Sequence, residues 1–118
     1  MANALFIGWG QVVRGREQQS LQVFDEAMQF FAGLQQRGEI EAFEPVTLEP
    51  HGGELYGFML LRGDPEKLAR MRDSDDFRRL IQRGVMVVDD FGVVSASVGD
   101  TIMRQFESFQ QQASELAG

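Results

Sequence analysis

Ala4-Leu5-Phe6-Ile7-Gly8-Trp9-Gly10-Gln11-Val12 is the stretch from which the fold follows. Its odd positions, Leu5, Ile7 and Trp9, are large and apolar. Its even positions, Ala4, Phe6, Gly8, Gly10 and Val12, are apolar and mostly small. Alternation of this kind marks a strand, and neither face of it is polar. A strand apolar on both sides belongs in the middle of a sheet that is covered twice.

Outward from it, Arg14-Gly15-Arg16 reads as a turn, and over residues 17–37 the period changes to 3.6. At about 100° per residue, Leu21, Val23, Phe24, Ala27, Met28, Phe30, Phe31 and Leu34 cover an arc of about 180°. One sheet face needs a stripe of only about 100°, so this helix has apolar surface to spare. Gly38 closes it as a C′ residue. A second strand is expected over residues 39–49, with Pro45 marking it as an edge. Pro50-His51-Gly52-Gly53 is a hairpin turn into a third strand over 54–62, apolar on both faces: Leu55, Met59 and Leu61 on one, Tyr56, Phe58 and Leu60 on the other. Asp64-Pro65 and Ser74-Asp75-Asp76 are two helix starts, so the second helix is broken near Asp73. A long strand is expected over 85–98, bulged at Asp89-Asp90 and Gly92. A C-terminal helix over about 100–116, capped by Asp100 or Thr101, carries Ile102, Phe106, Phe109, Ala113 and Leu116 as one narrow stripe. Such a stripe suits packing on another helix, and the surplus arc of the first helix is the expected partner, within the subunit or across the dimer.

The element order β-α-β-β-α-β plus a final helix gives an α+β fold with one antiparallel sheet, a ferredoxin-like single domain over 1–118. Right-handed crossovers put the first and third strands at the centre and the helices on one face. The other face would then expose a contiguous apolar patch larger than monomers tolerate, and a homodimer joined through that sheet face removes it.

Composition narrows the functions. With 118 residues, 43% hydrophobic and 25% charged, the chain is an ordinary globular domain that folds without staples. The absence of Cys removes thiol catalysis and thiolate metal sites, and fits a reducing, cytoplasmic setting. A net charge of −7 argues against nucleic acid. Seven of the eleven basic residues do fall within residues 62–83, but five acidic ones accompany them, the mixture of a solvated helical face. The apolar run at the N-terminus is too short for a signal or a membrane span.

The strand Leu5-Phe6-Ile7-Gly8-Trp9-Gly10, the hairpin Glu49-Pro50-His51-Gly52-Gly53 and the helix start Ser74-Asp75-Asp76-Phe77-Arg78-Arg79-Leu80 after Asp64-Pro65-Glu66 give the chain its resemblance to a known group. Over about residues 4–98 it resembles the dimeric α+β barrel proteins, which include antibiotic-biosynthesis monooxygenase-like, stress-responsive and NIPSNAP-like small domains. The resemblance implies a homodimer, with any small-molecule pocket between sheet and helices or at the subunit boundary; for this chain no cofactor is expected. Oxygenases and haem-degrading members of that group use an Asn, Trp and sometimes His constellation. Asn3, Trp9 and His51 are present at a different spacing, so no catalytic role transfers and the catalytic residues are unknown.

Among single residues, His51 is the one side chain with an ordinary pKa near neutrality, set in what reads as an exposed turn. Trp9, Tyr56 and Phe58 are candidate walls of an apolar ligand pocket, with Gly8 and Gly10 leaving room and His51 or Arg62 as polar contacts. Gly8-x-Gly10 lacks the third glycine and the helix start of a dinucleotide site. No metal site is expected: Asp89 and Asp90, as neighbours on a strand, point to opposite faces. Two functions stand: a non-enzymatic homodimer with a ligand-binding or structural role, or a cofactor-independent monooxygenase-like enzyme acting on an aromatic or polycyclic metabolite.

Overall fold

Four short strands pair antiparallel in the order β2-β3-β1-β4, in a computed structural model that describes residues 2–118. The strands are β1 (Ala4–Trp9), β2 (Ala42–Thr47), β3 (Gly57–Arg62) and β4 (Gly92–Ala96); the helices are α1 (Glu17–Gln36), α2 (Pro65–Arg72), α3 (Asp75–Val87) and α4 (Asp100–Ala117). This is the ferredoxin-like α+β arrangement, with β1 and β3 central and Pro45 on an edge strand, where its missing N–H costs no ladder bond.

Register assigns the faces. Leu5 pairs with Leu61 and Ser95, Ile7 with Met59 and Val93, and Trp9 with Gly57. Leu5, Ile7, Met59 and Leu61 are buried with Phe31 and Leu34 of α1 and Leu68, Met71 and Phe77 of α2 and α3, so this face carries the core. The opposite face presents Phe6 beside Leu60 and Val94, and Phe58 beside Gly8 and Val46. The Phe6 and Phe58 rings stack there with centroids 5.0 Å apart.

Local chemistry sets the helix ends. The Glu39 amide donates to the Leu34 carbonyl and Gly38, at φ 74°, donates to Gln35, a Schellman closure that needs the left-handed residue glycine supplies. Asp64 and Ser74 cap α2 and α3 by accepting from the Lys67 and Phe77 amides.

Several expectations give way. The strand expected over 85–98 is only Gly92–Ala96, because Val85, Met86 and Val87 continue α3. Gly84 is not a stop: a Cβ there would lie 2.8 Å from the Phe91 ring, so the glycine admits that ring against the helix. Before β4 the chain still pairs with residues 10–13, Val88 bridging Val12 and the Asp89 amide donating to the Gln11 carbonyl, and Asp90, at φ 53°, interrupts the ladder there. β2 and β3 are shorter than expected, and residues 48–56 form a long connection instead of a tight hairpin. At α4 the N-cap is Gly99, and neither Asp100 nor Thr101 caps it.

The largest correction is the place of α4. Ile102, Phe106 and Phe109 do not dock on α1 of their own subunit; they are exposed there, Phe106 by 63% and Phe109 by 76%. Among the described residues no other helix or strand packs along α4. The radius of gyration, 16.5 Å, accordingly exceeds the roughly 13.5 Å usual for a compact chain of this length.

Candidate apolar cavity

A cavity of about 370 Å³ lies between the helix-covered face of the sheet, α1 and α3. Its floor is Ile7, Trp9 and Met59; one wall is Val23, Phe24 and Ala27 of α1, the other Leu80, Ile81 and Gly84 of α3, with Phe91 at one side. The surplus arc of α1 therefore faces this space: Leu21 and Phe24 stand at its rim, 64% and 37% exposed. The volume falls within the range of small-molecule pockets and far above the voids of a packed interior.

Two glycines shape it. A Cβ on Gly57 would come within 2.6 Å of the Trp9 ring, so the indole lies over the bare backbone of β3. Phe24 meets that indole edge-on, with centroids 6.0 Å apart. Gly84 seats Phe91 in the same manner on the α3 side. Two flat rings thus hold positions on opposite sides of the space, each backed by glycine.

The chemistry is nearly uniform. Ser20, Thr47, Tyr56 and the indole N–H of Trp9 are the side-chain polar groups of the lining, and no charged side chain among the described residues joins them. An ion would lose its hydration without compensation, so the space suits an uncharged body with at most one or two hydrogen-bonding groups. Outside the lining, Arg83 of α3 donates through Nε and Nη2 to the Glu26 carboxylate of α1 at 2.8 and 2.9 Å, tying the two walls together. No group of three metal-ligating side chains occurs among the described residues.

The five residues singled out from the sequence separate. Trp9 and Tyr56 line the cavity. Tyr56 does so because regular alternation stops one residue short of β3: its amide donates to the Trp9 carbonyl at 2.8 Å while Leu55 turns to the opposite face, against Gly8. Phe58 lies on that opposite face, stacked on Phe6, and Arg62 is exposed beside Ala4 and Ala42. His51 is exposed in the 48–56 connection. The room expected beside Gly8 is taken by the Phe6 ring and Leu55, and that beside Gly10 by the carbonyls of Asp89 and Glu54. Asn3 serves the backbone: its Oδ1 accepts from the Val98 amide at 2.9 Å and its Nδ2 donates to the Val98 carbonyl at 3.0 Å. On the α3 wall Leu80 and Ile81 turn inward as their helical spacing implies, and Gly84 and Val87 join them because the helix runs on through the glycine.

Fold and cavity together define a ferredoxin-like α+β domain with an apolar chamber between sheet and helices. The sequence matches no family model and no curated protein. Solved structures share the fold. A dabb family protein with a ferredoxin-like fold from Mesorhizobium loti superposes with a TM-score of 0.61 at 16% identity, over 84% of this chain and 100% of that one. A dimeric ferredoxin-like protein of unknown function from Thermobifida fusca gives 0.61 at 13%, over 82% and 92%. SnoaB, a cofactor-independent oxygenase from Streptomyces nogalater, gives 0.50 at 14%, over 85% and 98%. No helix among the described residues is long and apolar enough to cross a membrane.

Proposed function

We propose that the protein is a homodimeric binding domain that takes an uncharged, largely apolar small molecule into the cavity between β1, β3, α1 and α3. The observation that carries this reading is the chamber of about 370 Å³ with two glycine-seated rings and no charged wall. The apolar sheet face around Phe6, Phe58 and Leu60, together with the dimeric state of the Thermobifida fusca protein, supports joining two copies through that face. Trp9 and Tyr56 are the proposed ligand contacts; Phe58 belongs to the dimer face in this reading, and His51 and Arg62 are not assigned to the ligand.

Trp9 is the only Trp, so its emission reports occupancy directly. Uncharged aromatic compounds are expected to quench it saturably, whereas their carboxylated analogues bind at least ~10-fold more weakly, the cost of burying an unpaired charge. Ala27→Phe, which fills the chamber from the α1 side, is expected to abolish the quenching while the fold persists. Quenching that never saturates would remove the binding reading. An enzyme of the cofactor-independent oxygenase kind would use the same chamber. Oxygen uptake with a bound compound, without added flavin or metal, marks that case.

A further inference from the structure

We propose that α4 is a pairing helix, and that its apolar seam is covered by α4 of a second copy of this chain running antiparallel to it. Every residue of 102–118 is exposed, although this stretch holds Ile102, Met103, Phe106, Phe109 and Leu116. Only the first turn is tied down: the Thr101 hydroxyl lies 2.9 Å from both Asn3 Oδ1 and the Val98 carbonyl, and Gln105 Nε2 donates to Ser97 Oγ at 2.7 Å. A helix of 18 residues without tertiary packing is marginal in water, so α4 lacks what stabilises helices of its length.

The spacing says what covers it. Ile102, Phe106, Phe109, Ala113 and Leu116 follow one another by four, three, four and three residues, the 3.5-residue period of a seam that meets another helix and not a sheet. The flanking positions are Met103, Gln105, Gln110, Gln112 and Ala117, none of them charged. The charged residues of α4, Asp100, Arg104, Glu107 and Glu115, fall on the outer positions. In a chain of net charge −7 this is a surface on which two identical helices meet without like charges opposed.

Orientation follows from two facts. α4 leaves the body at its N-terminus and spans about 27 Å, so an antiparallel pair sets the two bodies at opposite ends, and the two helix dipoles oppose each other. In that register Phe106 packs on Phe109 of the partner subunit, and Ile102 on Ala113 of the partner subunit, large against small. The four phenyl rings bury roughly 600–1,000 Å². Ile102, Met103 and Leu116 bring the total towards the ~1,200 Å² at which specific interfaces begin.

The chain has no Cys, which makes cross-linking decisive. The double variant Ile102→Cys, Ala113→Cys keeps both phenylalanines, and its two thiols are too far apart on one helix to join. Under mild oxidation at low micromolar concentration it is expected to run as a covalent dimer on a non-reducing gel. The control Arg104→Cys, Gln111→Cys, on the outer face, is expected to stay monomeric on the gel. Equal cross-linking of both variants, or of neither, overturns the proposal, as does a covalent dimer from Ile102→Cys alone, which would mean a parallel pair. Phe106→Asp with Phe109→Asp touches no core residue of the protomer and is expected to weaken the seam contact at least ~100-fold, so that in sedimentation equilibrium the largest species is the dimer joined through the sheet face. Unchanged association with an unchanged unfolding midpoint also overturns it.

Discussion

Trp9 owes its position to what its neighbour in the sheet lacks. With Gly57 directly opposite, the indole settles over bare backbone and becomes the floor of the chamber. Gly57→Ala places a methyl 2.6 Å from that ring, so the indole has to swing away. The expected result is a shifted Trp emission maximum and a loss of about 1–3 kcal/mol in urea unfolding, the usual cost of overpacking. At this scale the apolar identity of Trp9 and Tyr56 was legible from the sequence, but their company was not. Strict alternation from Tyr56 to Leu61 puts Tyr56 on the side of Phe58 and away from Trp9, and only the break before Gly57 brings it to the chamber.

The two helices between β3 and β4 show how far end signals carry. Ser74 serves both: its hydroxyl donates to the Met71 carbonyl at 2.6 Å, at the end of α2, and accepts from the Phe77 amide at 3.2 Å, at the start of α3. Ser74→Ala is expected to cost about 1–2 kcal/mol, read as a lowered urea midpoint with unchanged slope. That break was legible because capping is chemistry between residues close in sequence. The end of α3 was not, because the Val-rich run Val85-Met86-Val87-Val88 after Gly84 favours a strand by local propensity. Burial decides it: Phe77, Gly84 and Val87 all face inward on a helix that continues, and Phe91 fills the notch at Gly84.

For the molecule as a whole, apolar surface remains uncovered within one subunit on the outer sheet face, where Val94 is exposed and Phe6, Phe58 and Leu60 are half-buried, along the α4 seam, and at Leu21, Val85 and Met86 of α1 and α3. In the proposed dimer Leu60, paired with Phe6, sits at the centre of the first. Leu60→Asp buries an unpaired charge in that contact and is expected to weaken dimerisation by about 3 kcal/mol, more than 100-fold, in sedimentation equilibrium. A variant that dimerises as the unaltered chain does would place the contact elsewhere. The sheet and seam contacts lie on different surfaces and cannot both join the same two copies, so each variant is expected to remove one step of assembly and leave the other.

The sequence by itself determined the antiparallel α+β fold, the central place of β1 and β3, the edge at Pro45 and the break at Ser74. These rest on periodicity, chain connectivity and hydrogen bonds between near neighbours. Only the tertiary structure decided that residues 85–87 are helical, that Tyr56 joins Trp9 while Phe58 does not, that α1 spends its surplus arc on a chamber, and that α4 stands free. Each of these depends on which distant side chain fills a given space, and the space beside a glycine or at the rim of a helix takes shape only after the elements have packed.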